Sequence, residues 1–122
     1  MYTHLVPVIN SKPDVILLHV GTNDCATKTS DEVLGEIIKL EEHLRVVCPQ
    51  SLLILSLPTI RTDFNRANVI IKNLNVKIKN LGYMHMDNEN INELDLGKKG
   101  LHFNKHGTKK MASNIISLIK RL

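Results

Sequence analysis

The feature that most constrains the fold is a short, nearly continuous apolar segment, Val15 to Val20, which ends at a polar turn over residues 21–24. A strand with one face in water alternates apolar and polar side chains, and this segment does not alternate. Both of its faces must therefore be covered by other elements of the protein. Parallel sheets packed between two layers of helices contain strands of this kind, so the segment indicates an α/β fold.

The rest of the chain alternates helix and strand signals. Thr29 and Glu32 have capping-box spacing ahead of a helical stripe, and Gly82 stands where a helix C-terminus is expected. With right-handed crossovers, this order predicts one domain over residues 1–122, a three-layer α/β/α sandwich with a parallel sheet and flavodoxin-like layering. In chain order we predict a helix from Thr29 to Cys48, a strand over 52–57, a helix over 63–81, a strand over 83–87 and a helix capped by Asn104, with Met111, Ala112, Ile115, Ile116 and Ile119 as its buried stripe.

The predicted layout leaves the apolar first strand at one edge of the sheet. An exposed hydrophobic edge offers unpaired backbone groups to another chain, so self-association through this edge is one expectation. The other expectation is that further N-terminal strands of the domain precede Met1. The segment Met1 to Ser11 favours this second view, because it looks like the end of a preceding crossover through its apolar residues Leu5, Val6, Val8 and Ile9.

Composition narrows the possible functions. The two cysteines, Cys25 and Cys48, are too few for a disulfide framework and lack metal-site spacing. We expect neither a metal nor another cofactor. The absence of a membrane-spanning apolar stretch or a signal-peptide pattern favours a cytoplasmic protein with no membrane partner. The net charge of +4 leaves nucleic-acid association open. It also fits ordinary solvated helix faces, and the aromatic content of 3% offers few stacking residues.

Two polar clusters occupy positions where an open parallel sheet binds ligands. The first, Gly21-Thr22-Asn23-Asp24, comes directly after the apolar first strand, and the second, residues 100–104, comes directly before the last helix. Ligands of such sheets bind in the crevice beyond the carboxyl ends of the strands. The alternative, purely structural interpretation is that Asn23 and Asp24 only cap a turn and that His102 lies in a surface loop.

The two clusters resemble conserved blocks of the SGNH (GDSL-like) hydrolase family. The segment from His19 to Asp24 is similar to the family's Gly-x-Asn-Asp block after a hydrophobic strand. The segment from Leu101 to Gly107 is similar to a later block, in which a histidine precedes a helix cap and a glycine. Their order and spacing resemble the C-terminal portion of such a domain. In their residue sequence, both segments are similar to SGNH-like domains of proteins encoded by animal retroelements.

The resemblance implies hydrolysis of a small acyl ester by a serine–histidine mechanism without a metal. It implies that His102 is the general base and that Asn23 donates a hydrogen bond in the oxyanion hole, with Gly21 and Asp24 as supporting residues. An imidazole suits proton transfer near neutral pH. An amide aimed at developing negative charge contributes about 3 kcal/mol to transition-state stabilisation.

The chain also departs from the family pattern. A Gly-Asp-Ser nucleophile block is absent, and Lys99 stands three residues before His102, where the family often has an aspartate that orients the histidine. Asp95 or a backbone carbonyl could orient His102 instead, and Cys25 is disfavoured as a nucleophile by its place after the turn. We therefore expect little or no esterase activity. The alternative is a non-catalytic binding module derived from such a domain.

Overall fold

The computed structural model describes residues 10–122. The predicted order of elements is confirmed within this range, and two short 3₁₀ turns, Asp24–Ala26 and Glu93–Asp95, lie in the loops. The apolar residues Leu5, Val6, Val8 and Ile9 of the predicted preceding crossover lie outside the described residues. The main elements are β1 (Val15–His19), α1 (Ser30–Val47), β2 (Leu52–Ser56), α2 (Asn65–Asn80), β3 (His85–Met86) and α3 (Lys105–Arg121).

The three strands form a parallel sheet in the order β1-β2-β3. Leu17 of β1 pairs with Ile54 of β2, and Ser56 pairs with Met86 of β3. Because all strands are parallel, their carboxyl ends meet along one edge of the sheet. Among the described residues β1 has one neighbouring strand, so the apolar strand lies at the sheet edge, as predicted.

Helices cover both faces of the sheet, so the predicted three-layer architecture is confirmed. On one face, Ile16 and Leu18 of β1 belong to a core that includes residues of α1 and α2. On the other face, Ile54 and Met86 pack with Leu118 of α3. The alternation of side chains along a strand sends neighbouring residues to opposite layers, which explains why β1 has no polar face.

The capping box at the start of α1 is also confirmed. The Thr29 side-chain oxygen accepts a hydrogen bond from the Glu32 backbone at 3.2 Å, and the Glu32 carboxylate accepts one from the Thr29 backbone at 3.4 Å. Gly82 follows α2 with φ +76°, the left-handed conformation that ends many helices and favours glycine.

The predicted buried stripe of α3 is wrong for three residues. Ala112, Ile116 and Ile119 are exposed, whereas Leu118 is buried. The reason lies at the start of the helix, where buried Gly107 lies close to the backbone of Asp95. Because of this close approach, the side of the helix that carries Gly107 and Leu118 faces the sheet. The contacting stripe is Gly107, Met111, Ile115 and Leu118.

Candidate functional site

A crevice of about 480 Å³ opens at the carboxyl end of β1. It brings Asn23 and His102, which are far apart in the chain, into the lining of one cavity. The predicted supporting residues Gly21 and Asp24 also line it. The full lining is His19, Val20, Gly21, Thr22, Asn23, Asp24, Thr59, Leu101, His102 and Phe103.

The turn after β1 presents Asn23 to the crevice. Gly21 has φ +108°, and a side chain there would also come within 3.3 Å of Pro58, so this position requires glycine. The Gly21 carbonyl accepts a hydrogen bond from the Cys25 backbone at 3.1 Å and closes the turn. Asn23 is exposed, and its side-chain amide makes no hydrogen bond to the described residues. The amide is therefore available to donate to a ligand.

The turn contributes two further polar groups to the cavity. The Thr22 hydroxyl is buried and has no hydrogen-bond partner among the described residues. Asp24 lies at the rim, where its carboxylate is 3.9 Å from the Lys28 ammonium group. Lys28 also binds the Glu36 carboxylate at 2.6 Å, so Asp24 remains an acidic group of the lining beside the uncharged Asn23 and Thr22.

The loop that carries His102 is a tight turn attached to the loop after β2. The Gly100 backbone donates to the Gly97 carbonyl at 2.9 Å, and the Thr62 backbone donates to the Gly100 carbonyl at 2.8 Å. Gly100 has φ +72°, and a side chain there would lie 2.7 Å from the Asp63 nitrogen. The close contact between the two loops thus depends on Gly100, and it places His102 at the crevice.

Neither predicted substitute for the missing aspartate contacts His102. The Asp95 carboxylate is buried and accepts hydrogen bonds from the Asn92 backbone at 2.9 Å and from Lys110 Nζ at 2.6 Å. The prediction that Asp95 could orient His102 is wrong, because these two donors hold its carboxylate elsewhere. Within residues 10–122, no backbone carbonyl bonds the His102 ring either. His102 is exposed, with its imidazole open to a ligand.

Arg61 is a structural residue of the site that the sequence did not single out. Its side chain is buried, with 6% exposed, and it donates to the Thr22 carbonyl at 3.1 Å. It also donates twice to the Asp63 carboxylate, at 2.9 and 2.7 Å. Arg61 therefore joins the Asn23 turn to the segment on which the His102 loop rests. Its signal in the sequence is the Arg-Thr-Asp segment soon after the second strand, at the ligand-binding edge of the sheet.

Asp63 is the acidic residue that interacts electrostatically with His102. The pKa of Asp63 is lowered, chiefly by the hydrogen bonds from Arg61 and to a smaller extent by the charge of His102. The corresponding contribution to Asp95 comes from His106 instead. This carboxylate belongs to the loop after β2, and among the described residues it forms its hydrogen bonds with Arg61.

A hydrogen-bond network joins two buried residues, Ser56 and Asn88, to His19, which is exposed and lines the crevice. Asn88 Nδ2 donates to Ser56 Oγ at 2.9 Å, and the Ser56 hydroxyl lies 2.9 Å from His19 Nδ1, to which it can donate its proton. Partial burial lowers the pKa of His19, an effect that the hydrogen bond with Ser56 opposes. His19 is thus a hydrogen-bonded residue at the end of β1. Its place in the cavity lining was not predicted.

None of the six serines of the chain lines the crevice. Ser56 comes nearest in the fold, because it is hydrogen-bonded to His19, but it is buried. The others lie before β1, at the start of α1, before β2 or within α3: Ser11, Ser30, Ser51, Ser113 and Ser117.

Cys25 is expected to resist modification. The residue is fully buried, and burial together with the nearby Asp24 charge raises the pKa of its thiol from the ordinary 9.0 to about 11. In a Cys48→Ala variant at about pH 8, the thiolate fraction should then be about 100-fold lower than in the unfolded chain. Iodoacetamide alkylation followed by mass spectrometry measures this protection. Alkylation as fast as in urea-unfolded protein would contradict it.

The raised pKa also sets a direction for stability. A thiol that ionises less readily in the folded state stabilises the fold fully below about pH 9 and loses that contribution as the pH rises through about 11.

No group of three metal-ligating side chains occurs among residues 10–122. No helix in the same range is long and apolar enough to cross a membrane.

Solved structures of esterases share this fold. A carbohydrate esterase family 3 from Talaromyces cellulolyticus matches with a TM-score of 0.77 and 22% identity, over 94% of this chain and 63% of that one. A GDSL-like lipase from Bacteroides thetaiotaomicron matches with a TM-score of 0.73 and 22% identity, over 93% and 65%. An acetyl esterase, a serine-to-alanine variant with an acetate ion, matches with a TM-score of 0.77 and 22% identity, over 93% and 62%.

The chain therefore spans less than two thirds of the length of these structures. No protein-family profile matches the sequence, and no curated protein matches it significantly. At this level of identity the likeness concerns the fold. The parallel sheet between two helical layers is the fold found in SGNH/GDSL-like esterases and lipases.

Proposed function

We propose that this chain carries the general base and one oxyanion-hole donor of an SGNH-type site for a small acyl ester, and that by itself it turns over esters little or not at all. The single observation that supports this is the convergence of Asn23 and His102 on one crevice. The likeness to esterase structures adds to it. The narrower likeness to retroelement-encoded domains stays a prediction.

In the proposed chemistry, His102 accepts the proton of an attacking hydroxyl and returns it to the leaving alcohol. The Asn23 amide donates a hydrogen bond to the carbonyl oxygen, which gains negative charge as the tetrahedral intermediate forms. The missing part is the nucleophile, because none of the chain's serines lines the crevice.

Hydrolysis of p-nitrophenyl acetate tests the expected lack of turnover. Removing the serine of a serine hydrolase lowers turnover by about a millionfold, although the oxyanion hole and substrate binding leave some acceleration. We therefore expect the 122-residue chain to hydrolyse this ester at a rate close to that of buffer. A rate well above buffer that disappears in His102→Ala would contradict this expectation.

Ligand binding tests the proposed pocket independently of turnover. Ethyl methylphosphonate is a stable, anionic mimic of the tetrahedral intermediate, and its binding can be followed by amide NMR. We expect shifts at residues 21–24 and 101–103 that are lost in Asn23→Ala and in His102→Ala. His106→Ala is the matched control, because His106 is exposed and lies outside the crevice. Absence of shifts in the wild-type protein would contradict the proposal.

The second candidate is a non-catalytic module that uses the same fold to bind another chain. The exposed apolar residues Val15, Leu52 and Ile116, together with the β1 edge, favour it. Such an edge can accept an added strand from a partner. The phosphonate titration separates the two candidates, because a module that binds through β1 predicts no response at Asn23 and His102.

A further inference from the structure

The turn that leads into the crevice carries two lysines that form no ion pair with the described residues. Gly97 to Gly100 forms a tight turn, closed by a 2.9 Å hydrogen bond, and Lys98 and Lys99 occupy its two central positions. Both lysines are exposed, and neither forms an ion pair with the described residues. The turn continues directly into Leu101 and His102, which line the cavity. Two unpaired lysines therefore lie three and four residues before the proposed base, just outside the lining of the crevice.

The neighbouring acidic residues offset only part of this charge. Asp24, the one acid in the cavity lining, lies 3.9 Å from Lys28, which also binds Glu36 at 2.6 Å. Asp63 is held by Arg61 at 2.7 Å, and Asp95 is held by Lys110 at 2.6 Å. Glu93 is exposed and lies outside the lining. Asp63 and Asp95 thus have their own cations, Asp24 shares its cation with Glu36, and Glu93 is the exposed acid of these loops that forms no ion pair with the described residues.

The start of α3 adds to the same field. Phe103 lines the crevice, and the helix begins two residues later at Lys105. The N-terminus of a helix has a partial positive charge, and Lys105 is an exposed cation in its first turn. A cleft with charge of one sign at its rim concentrates ligands of the opposite sign.

We propose that this crevice selects esters that carry a negative charge, a carboxylate in the simplest case, and that Lys98 and Lys99 determine this specificity. The inference rests on the proposed function, because it assumes that the ester group lies at Asn23 and His102. The reactive ester then lies in the uncharged part of the cavity, and the anionic group of the substrate faces the lysine turn.

A matched pair of ligands tests this inference by amide NMR titration. Monomethyl succinate is anionic at neutral pH, and dimethyl succinate has the same chain with a second methyl ester in place of the charge. Two solvated ion pairs are each weak, so we expect the anion to bind about fivefold more tightly at about 20 mM salt. The preference should largely disappear at about 0.5 M NaCl, where the screening length is about 4 Å.

Charge-matched variants identify the source of the preference. Lys98→Gln/Lys99→Gln should bind both esters equally. Lys39→Gln/Lys120→Gln loses the same net charge from exposed positions on α1 and at the far end of α3, and it should keep the preference. Equal binding of both esters to wild-type protein would overturn the inference alone, as would a preference that survives removal of Lys98 and Lys99. If neither ester shifts the crevice amides, both the inference and the proposed function fail.

Discussion

Replacing Gly107 with alanine is expected to destabilise the protein by about 3 kcal/mol, at the upper end of the range for overpacked interiors. Gly107 is buried in the first turn of α3, and a Cβ atom there would overlap the carbonyl oxygen of Asp95 and lie 3.0 Å from Phe103. The obstacle is backbone, so no side chain can rotate to make room. The helix would have to move away from the 3₁₀ turn at Asp95.

That movement has consequences for the crevice. Asn104 caps α3 and donates hydrogen bonds to the carbonyls of Leu94 and Leu96 at 2.8 and 3.1 Å. Displacing the helix strains these bonds and shifts Phe103, which lines the crevice next to His102. We therefore expect changes in the amide spectrum of the His102 loop, in addition to a lower urea midpoint measured by circular dichroism.

Gly35→Ala is the matched control for this substitution. Gly35 lies within α1, and a Cβ atom there meets nothing within 4 Å. Because alanine has the higher helix propensity, Gly35→Ala should stabilise the protein by about 0.5–1 kcal/mol. The same chemical change should thus have opposite signs at the two positions. Equal effects of the two substitutions on stability would show that the contact with Asp95 does not exclude a side chain at position 107.

Replacing Arg61 with methionine is expected to cost about 2 kcal/mol. Breaking a fully buried ion pair costs about 3–5 kcal/mol. We expect a cost below that range because the Asp63 side chain is 27% exposed and water can solvate its carboxylate. The substitution leaves the Thr22 carbonyl and both Asp63 oxygens without their guanidinium donor. The Asn23 turn would then lose its link to the segment that supports the His102 loop, and ligand binding should weaken along with stability.

Arg66→Met is the control for removal of an arginine, because Arg66 is exposed and forms no ion pair with the described residues. The effect of Arg61→Met should also depend on pH. Arg61 lowers the pKa of Asp63, so their interaction stabilises the fold above about pH 4 and is lost as the pH falls through the lowered pKa. Urea unfolding should therefore show a smaller difference in the free energy of unfolding between the wild-type protein and Arg61→Met at acidic pH than at neutral pH. A difference that stays constant with pH would exclude the Asp63 interaction as its cause.

The secondary structure could be predicted because it depends on local patterns. The continuous apolar strand at Val15, the capping box at Thr29 and the N-cap at Asn104 each satisfy backbone or burial requirements within a few residues. The position of the crevice could also be predicted, because the carboxyl ends of parallel strands meet at one edge. The sequence pattern thus predicts that Asn23 and His102 lie on the same rim of the sheet.

The sequence by itself determined the α/β order, the location of the polar turns and the absence of a Gly-Asp-Ser segment from these 122 residues. Only the tertiary structure decided which groups support the site. Arg61 is buried between two loops, Ser56 is bonded beneath the crevice and Asp95 is held by Lys110. The buried face of α3 was likewise set by the backbone contact at Gly107. The physical reason is that these features depend on contacts between residues distant in the chain, and helical or strand periodicity carries no information about such contacts.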